Sequence, residues 1–210
     1  QMTETGVSYA NALADAQKQG FAEADPTNDV CGFDAARKLA ILSSIGFRAN
    51  ITFDDVLVEG IEKIDKSDIQ YAKDMGYTIK LLTVALRQEN GIALNVYPAF
   101  LPDNHPLSSV KGAYNAIYVT GNIVDDVMFY GRGAGALPTA SAVMGDVIST
   151  AQHILNGSTG TGMIMTDTKR IPFYSSLKLQ NSYYFRLDVD DVTGVLSQIA
   201  AAFAENDISI

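Results

Sequence analysis

The sequence is poor in the residues that build covalent or metal cross-links. It has one cysteine, Cys31, which excludes an internal disulfide and is typical of proteins in the reducing cytosol. Its two histidines, His105 and His153, lie far apart and lack the spacing of metal ligands, so we expect no metal site. Hydrophobic residues make up 47% of the chain, which is enough to build a core. We therefore expect a cytoplasmic protein that is held together by its hydrophobic core.

Positive charge and long apolar runs are also scarce. The chain has 15 lysines and arginines against 24 aspartates and glutamates, which gives a net charge of −9. Nucleic acids and anionic membranes attract positive protein surfaces, so we expect neither as a partner. No apolar run reaches the roughly 18 residues that a membrane-spanning helix needs.

A dinucleotide-binding fingerprint is missing as well. The glycine loop, GRGAG at residues 131–135, stands between a predicted strand and a predicted helix, a position that suits a phosphate. Its spacing is GxGxG, however, whereas the fingerprint needs GxGxxG and an acidic residue after a second strand. From these residues alone two interpretations stay open: contact with a cofactor, or tight packing of the helix against the strand.

The middle of the chain predicts a sheet with helices before and after it. Residues 77–88 favour a strand, Glu89–Gly91 a turn and 92–98 a second strand. A second hairpin is predicted around a two-residue turn at Gly121–Asn122. This order indicates an α+β protein with a mostly antiparallel or mixed open sheet and helices on one face. The remaining predicted elements are helices at 3–19, at 68–75 after a cap at Ser67 and from Pro138 to about Leu155, and strands at 113–120 and 123–130.

The composition changes towards the C-terminus. Residues 157–181 are rich in Gly, Ser and Thr without a period and are interpreted as a linker. After them, Tyr183–Val189 alternates as a strand, Asp191–Leu196 opens a helix, and Asn206–Ile210 begins another strand. This order resembles the start of an ACT domain, a ferredoxin-like ligand-sensing module, although an ordinary βαβ opening has the same order. The resemblance makes 182–210 an incomplete ACT βα unit.

The stretch over residues 16–38 concentrates acidic residues among small and turn-forming ones. We predict that Asp34 caps a helix that runs to about Ile45 and stops at Gly46. At 100° per residue, Lys38 lies on the same face as Asp34 and on the apolar stripe of that helix. The stripe consists of Ile41, Leu42 and Ile45. The i,i+4 pair is either a salt bridge at the edge of the stripe or a paired acid and base for chemistry, and the spacing leaves both open.

The pattern A-x3-G-F-A-x2-D-P-x2-D-V-x-G-x-D-x3-K over residues 16–38 resembles the signature of homoserine dehydrogenases. Two later segments, HPLSSVKGAYNAIYVTGN at 105–122 and YGRGAGALPTASAVMGDVI at 130–148, are similar to the second half of that family. The resemblance implies an enzyme that interconverts L-aspartate 4-semialdehyde and L-homoserine with NADP or NAD, in threonine, methionine and isoleucine biosynthesis. It also implies a nucleotide-binding domain before residue 1. We therefore interpret the chain as a fragment and expect it to be inactive by itself.

The resemblance also implies roles for individual residues. Lys38 matches the catalytic lysine that donates or accepts a proton, and Asp34 matches the residue that holds this lysine and touches the substrate. Glu23 matches the carboxylate that receives the α-ammonium group of the substrate, and Asp29 is a second substrate-binding candidate. The glycine loop is expected beside the dinucleotide, with contacts from Gly133, Ala134 and Gly135.

The expected organisation is a substrate-binding and dimerisation domain at 1–156, a linker at 157–181 and the incomplete ACT domain at 182–210. The resemblance implies an amino-acid substrate, a homodimer or higher oligomer, and an amino-acid effector at the ACT domain. The alternative is a non-catalytic amino-acid-sensing or dimerisation module, which rests on the C-terminal tail. Such a module has no need of a signature that keeps acidic residues and a lysine in register.

Overall fold

The computed structural model describes residues 2, 6–19, 22–133, 135–158, 171–174 and 181–209. The chain divides into two compact units, 1–179 and 180–210. The architecture is α+β with open sheets, which confirms the predicted fold class. The helices are α1 (Tyr9–Lys18), α2 (Thr27–Val30), α3 (Phe33–Phe47), α4 (Lys66–Asp74), α5 (Ala136–Leu155) and α6 (Val195–Glu205), with 3₁₀ turns at Phe53–Asp55 and Pro106–Ser109. The strands are β1 (Leu57–Val58), β2 (Tyr77–Gln88), β3 (Gly91–Pro102), β4 (Tyr114–Gly121) and β5 (Asp125–Arg132).

A three-stranded sheet in the order β1-β3-β2 forms the centre of the first unit. β2 pairs antiparallel with β3 along the whole length of both strands, and β1 joins the other edge of β3 in parallel. The bounds of β2 confirm the strand predicted at 77–88. β3 is longer than the predicted 92–98, because it continues through Pro98 to Pro102.

The sequence predicts that Pro98 ends β3, and the backbone geometry explains why it does not. The C=O of Val96 accepts a hydrogen bond from the N–H of Glu59 at 2.7 Å, so the backbone groups of Val96 face the outer edge of β3. Backbone groups two residues apart point to the same side of a strand. The missing N–H of Pro98 therefore faces the outer edge and removes no hydrogen bond to β2.

The outer edge of β3 also receives part of the predicted linker. Phe173 forms a parallel bridge with Ile92. The N–H of Ile92 donates to the C=O of Pro172 at 3.0 Å, and its C=O accepts from the N–H of Tyr174 at 2.8 Å. This part of the predicted linker is therefore an edge segment of the sheet. The rest of it is mostly outside the described residues, at 159–170 and 175–180.

β4 and β5 form a separate two-stranded antiparallel sheet, in which Gly121 stands opposite Asp125 next to the turn. The predicted two-residue turn at Gly121–Asn122 is wrong, because residues 122–124 connect the paired ends. Asp125 has a φ of 56°, and a left-handed residue after a three-residue loop lets the chain rejoin the ladder. β5 begins at Asp125, later than predicted, because of this longer loop, and β4 extends over Tyr114–Gly121 rather than 113–120.

The main core lies between α3 and one face of the three-stranded sheet. The buried residues of α3 are Ala36, Leu39, Ala40, Ser43 and Ser44, and those of β3 in this core are Ile92, Leu94 and Val96. Most of the buried side chains of α3 are small, so the helix backbone can come close to the sheet. Close approach places the residues that precede the helix against the sheet as well.

The start of α3 differs from the prediction for that reason. Gly32, not Asp34, is the residue before the helix, and it adopts a left-handed conformation with φ 78°. A Cβ atom on this glycine would lie 3.0 Å from Cγ1 of Val96 and 3.3 Å from Cγ1 of Val58, so the packing favours glycine. Asp34 therefore lies in the first turn of α3, where a negative charge suits the positive end of the helix.

The N-terminus of α4 differs from the prediction. Asp65, rather than the predicted Ser67, precedes the helix, and its Oδ1 accepts from the N–H groups of Ser67 and Asp68 at 2.7 and 3.0 Å. The carboxylate of Asp68 accepts in return from the N–H of Asp65 at 3.0 Å. This reciprocal pair satisfies N–H groups at the helix start that have no partner within the helix.

Three other helix ends lie at different residues from those predicted. α1 begins after Ser8, whose Oγ accepts from the N–H of Asn11, and residues 6–8 are not helical although the predicted helix included them. α3 ends at Phe47 rather than before Gly46. Pro138 is the third residue of α5 rather than the first. In each case the local pattern finds the helix but does not fix its first or last residue.

The second unit contains α6 and a segment beside it. Phe185 packs edge-to-face on Phe203 of α6, with ring centroids 5.6 Å apart. Residues 181–192 have no regular secondary structure, so the strand predicted at 183–189 is not formed, and residues 206–209 are not a strand either. A strand needs a neighbour that takes up its backbone hydrogen bonds, and no such neighbour occurs within 181–209.

Candidate active site

The signature stretch forms a loop at residues 22–32, called the signature loop below, between α1 and α3. Gln17, on the last turn of α1, holds the start of this loop. Its Nε2 donates to the backbone C=O of Glu23 at 3.0 Å and to that of Ala24 at 3.3 Å. The loop is thus connected to the preceding helix through a side chain.

The second part of the signature loop is held by a side chain of α3 and by hydrogen bonds within the loop itself. Arg37 donates through Nη1 to Oδ1 of Asn28 at 2.9 Å, and its guanidinium lies over the ring of Phe53 at 5.3 Å from the centroid. Asp25 accepts from the N–H and the hydroxyl of Thr27 at 3.1 and 2.6 Å. These bonds lower the pKa of the Asp25 carboxyl group, because they favour its charged form. Asp25 therefore stabilises the turn of the loop.

The turn that follows β1 closes on the end of the signature loop. Cys31 donates through Sγ to Oε1 of Glu62 at 2.8 Å, and the N–H of Ile61 donates to the C=O of Val30 at 2.8 Å. A Cβ atom on Gly60 would lie 2.4 Å from the carbonyl oxygen of Val30, so glycine is required for this contact. The hydrogen bond to Glu62 raises the pKa of the Cys31 thiol and lowers that of the Glu62 carboxyl group, so the thiol stays the donor.

Glu23 and Asp29, the two predicted substrate ligands, are exposed residues of the signature loop. Within the described ranges, neither carboxylate forms a hydrogen bond or an ion pair. Both are therefore open to a cation from solution, in contrast to Asp25, which is occupied by its own loop. Neither carboxylate is paired with Lys38.

The predicted pair on α3 is formed. Nζ of Lys38 lies 2.5 Å from Oδ2 of Asp34, and the side chains are 70% and 45% exposed. The i,i+4 contact is thus confirmed, whereas the chemical roles of the two residues stay a prediction. An ion pair this open contributes about 0–1 kcal/mol to folding, so the fold has little need of it.

The face of α3 that carries this pair is not the face that the core covers. The outer stripe, which consists of Ile41, Leu42 and Ile45, is exposed, and Ile41 retains 61% of its accessible surface. The helix buries its alanines and serines instead, together with Leu39. The large apolar residues of the stripe thus surround Asp34 and Lys38 on an open surface.

The glycine loop follows β5 and leads into α5. A Cβ atom on Gly133 would meet only the exposed side chain of Asn115, which can move, whereas Gly135 has a φ of 118°, a backbone conformation that favours glycine. Ala134 lies outside the described residues. The guanidinium of Arg132 lies 4.9 Å from the centroid of the Tyr114 ring. The guanidinium is thus held on β4, while the loop leads into a 20-residue helix.

No group of three or more His, Cys, Asp or Glu side chains in the described part of the chain could hold a metal ion. None of the described helices combines the length and the apolar character that crossing a membrane requires.

Comparison with known proteins identifies the family. The homoserine dehydrogenase family model matches residues 1–148 of this chain. The homoserine dehydrogenase of Corynebacterium glutamicum is 43% identical over 214 aligned positions, which cover 100% of this chain and 48% of that protein. The chain belongs to the homoserine dehydrogenase family.

Solved homoserine dehydrogenases share the fold. The enzyme from Thiobacillus denitrificans matches with a TM-score of 0.87 at 37% identity, over 100% of this chain and 49% of that one. A hyperthermophilic archaeal homoserine dehydrogenase in complex with NADPH matches with a TM-score of 0.55 at 28% identity, over 72% of this chain and 42% of that one. The chain spans about half the length of the curated relatives it matches.

Two features of this homoserine dehydrogenase site were not found from the sequence. The hydrogen bond between Cys31 and Glu62 joins residues 31 positions apart, and no local pattern predicts such a contact. Gln17 is one of several polar residues on α1, and only the folded loop shows which carbonyl groups it reaches. The signature indicates which positions carry the charged groups, but not which hydrogen bonds hold the loop in place.

Proposed function

We propose that this chain is the substrate-binding and dimerisation part of an NAD(P)-dependent homoserine dehydrogenase. The reaction is the interconversion of L-aspartate 4-semialdehyde and L-homoserine in threonine, methionine and isoleucine biosynthesis, in the cytoplasm. The observation that carries the proposal is the ion pair of Asp34 and Lys38 on the helix that follows the signature loop. It is tested by assaying the complete protein for homoserine oxidation with NADP⁺ and with NAD⁺, and no activity with either would contradict it.

Lys38 serves as the proton donor in the reduction. Its ammonium group gives a proton to the aldehyde oxygen as the hydride arrives at the carbon, and the amine takes a proton from the hydroxyl group in the reverse direction. Asp34 lies 2.5 Å from the ammonium nitrogen and so limits the positions that the proton donor can take. The nicotinamide dinucleotide, when bound, supplies or accepts the hydride.

Glu23 receives the α-ammonium group of the amino acid, and Asp29 is a second ligand for the substrate. A carboxylate that is not already paired is the complement of an ammonium ion, and a charge-assisted hydrogen bond between them is stronger than a neutral one. Both side chains are exposed on the signature loop and open to a cation. These properties support the assignment of the two residues.

The glycine loop contacts the cofactor, which is NADP or NAD, through Gly133, Ala134 and Gly135. The loop ends at the N-terminus of α5, whose first turn has no acidic residue, so its free N–H groups suit a phosphate. Arg132, the last residue of β5, adds a positive charge to the glycine loop. The NADPH bound to the archaeal relative also supports a nicotinamide dinucleotide in this family.

We expect the isolated chain of residues 1–210 to be inactive. It has no GxGxxG fingerprint after a strand, and it spans about half of its curated relatives. The purified chain should give no formation of NADPH or NADH from homoserine, while the complete protein does. Robust turnover by the chain alone would show that the whole cofactor site lies within these residues.

The chain forms a dimer through the hairpin of β4 and β5. Alternate residues put Ile117 opposite Phe129 and Val119 opposite Val127 on one face of this two-stranded sheet. Three of these four are exposed, and a lone hairpin is marginally stable without a partner surface. The hairpin carries acidic residues at its turn and Arg132 at its open end. Two copies related by a twofold axis with the hairpins antiparallel therefore place opposite charges together.

Light scattering at micromolar concentration should give this chain at least twice its mass of 22.5 kDa. Ile117→Asp introduces a charge into the apolar face and should shift the chain towards the monomer, because burying an unpaired carboxylate is unfavourable. Ile123→Asp is the matched control, since Ile123 is 90% exposed in the turn. A monomer for the unmodified chain, or equal effects of both substitutions, would contradict the proposed interface.

The proposed domains are 1–156 for substrate binding and dimerisation, 157–181 as a linker that pairs with the edge of the sheet at Phe173, and 182–210 as the start of an ACT domain that takes an amino-acid effector. The division of the chain after residue 179 supports a separate C-terminal unit. The alternative of a non-catalytic sensing module is less well supported, because the family match covers residues 1–148 and lies before this unit.

A further inference from the structure

The backbone of the signature loop at Glu23 is held by one side chain. The carboxamide of Gln17 has two N–H groups on one nitrogen, and this nitrogen lies within hydrogen-bond distance of the carbonyl oxygens of Glu23 and Ala24. The N–H of Ala22 adds one backbone bond, to the C=O of Ala16 at 3.3 Å. Within the described residues, no other hydrogen bond fixes the backbone over 22–24.

The side chain of Glu23 has no such support. Its carboxylate forms no hydrogen bond or ion pair with the described residues, so only the backbone determines where the charge is presented. Residues 22–24 lie outside helices and strands, where a backbone is less restricted than in a regular element. The position of the Glu23 carboxylate therefore depends on the two bonds from Gln17.

We propose that Gln17 is a positioning residue, which holds the Glu23 carboxylate in place for the α-ammonium group of the substrate. This inference rests on the proposed function, in which Glu23 binds that group. A carboxylate that samples several positions binds the ammonium ion only in the fraction of molecules with the correct one, so apparent affinity falls by that fraction. Gln17 touches neither the substrate nor the reacting atoms and acts only through Glu23.

The two bonds contribute to binding more than to folding. Both accepting carbonyl groups are exposed, so water replaces the carboxamide when the side chain is changed. The loop also keeps its other attachments, through Arg37 to Asn28 and through Cys31 to Glu62. Loss of Gln17 should therefore leave the overall fold intact and release only the first residues of the loop.

The test measures steady-state kinetics of homoserine oxidation in the complete protein. Gln17→Met keeps the length of the side chain and removes both N–H donors, and it should raise KM for homoserine about tenfold, since two exposed neutral hydrogen bonds are lost. KM for the dinucleotide and kcat should stay within about twofold, because neither depends on the ammonium contact. Gln19→Met, an exposed glutamine at the end of the same helix, is the matched control and should change nothing.

A double substitution separates this proposal from the proposed function. In the Glu23→Gln background, Gln17→Met should have no further effect on KM, because the charge that it positions is gone. If Glu23→Gln alone leaves KM for homoserine unchanged, the assigned role of Glu23 is wrong and the proposal fails with it. If Glu23→Gln raises KM but Gln17→Met does not, only the positioning role is overturned.

A merely structural role of Gln17 would give a different result. It would lower the melting temperature and raise both Michaelis constants together, and this outcome would overturn the proposal. Should Gln17→Met fail to fold, Gln17→Leu provides the same comparison, because its side chain is uncharged and has no N–H donor.

Discussion

Replacing Lys38 by methionine should lower kcat of the complete protein by about 10²–10⁴-fold, because the proposed reaction then proceeds without the proton donor assigned to it. The Michaelis constant for homoserine should change less, since other groups bind the amino acid. The rate should be measured from pH 6 to pH 10, in roughly half-unit steps, for both proteins. An ionisation that belongs to Lys38 must be absent from the profile of the variant.

The same substitution should leave folding nearly unchanged. The Lys38 side chain is 70% exposed, and an exposed ion pair contributes about 0–1 kcal/mol, so the free energy of unfolding should stay within about 1 kcal/mol. Lys73→Met, which changes an exposed lysine of α4, is a matched control for the loss of a charge. If Lys38→Met keeps the kcat of the unmodified enzyme but unfolds at much lower denaturant, the pair is structural and the assigned role is wrong.

Replacing Leu39 by alanine should destabilise the chain by about 2–5 kcal/mol, the usual range for a buried leucine in a packed core. Leu39 is 6% exposed and lies on the face of α3 that contacts the sheet. Its removal leaves a cavity that the neighbouring strand residues cannot fill without moving. Equilibrium unfolding in urea, followed by circular dichroism, measures the loss.

Ile41→Ala is the matched comparison, because it removes a similar volume from the opposite face of the same helix. Because Ile41 keeps 61% of its surface exposed in this chain, its replacement should change the free energy of unfolding by about 0.5 kcal/mol or less. Equal losses for the two variants would show that the outer stripe is covered, for example by a second copy. A larger effect of Ile41→Ala in the complete protein than in this chain would show that the missing part of the protein covers it.

The burial of α3 shows that the most apolar side of a helix need not face the core. The helical projection finds the large residues Ile41, Leu42 and Ile45 on one side of this helix, and that side is exposed. The structure buries alanines and serines instead, since small side chains allow a close approach of helix and sheet. A face rich in large apolar residues can equally be a surface that another part of the protein covers.

The sheet could be predicted where its pattern is local. β2 was found at its observed bounds because it is continuous and rich in β-branched and apolar residues. The continuation of β3 through Pro98 was missed, because only the sheet order shows that its nitrogen faces an edge. The strand at 183–189 was predicted from alternation, but alternation does not supply the neighbour that a strand needs.

For the candidate site, too, the sequence predicts the local contacts but not the contacts between distant parts of the chain. The contact of Asp34 with Lys38 follows from helical spacing and could be derived before any coordinates. The start of α3 at Gly32 depends on contacts with Val96 and Val58, which come from distant parts of the chain. The residues that bear charge are thus visible in the sequence, while those that hold the loop become visible only when the chain is folded.

The bridge between Ile92 and Phe173 determines where the protein can be shortened. A truncation after the end of α5 would remove the segment that accepts from the N–H of Ile92 and donates to its C=O. The strand would then present unpaired backbone groups to neighbouring molecules, and such an edge promotes intermolecular pairing and precipitation. A shortened protein that ends shortly after Tyr174 keeps the edge occupied, and it is the better choice for crystallisation and for work at high concentration.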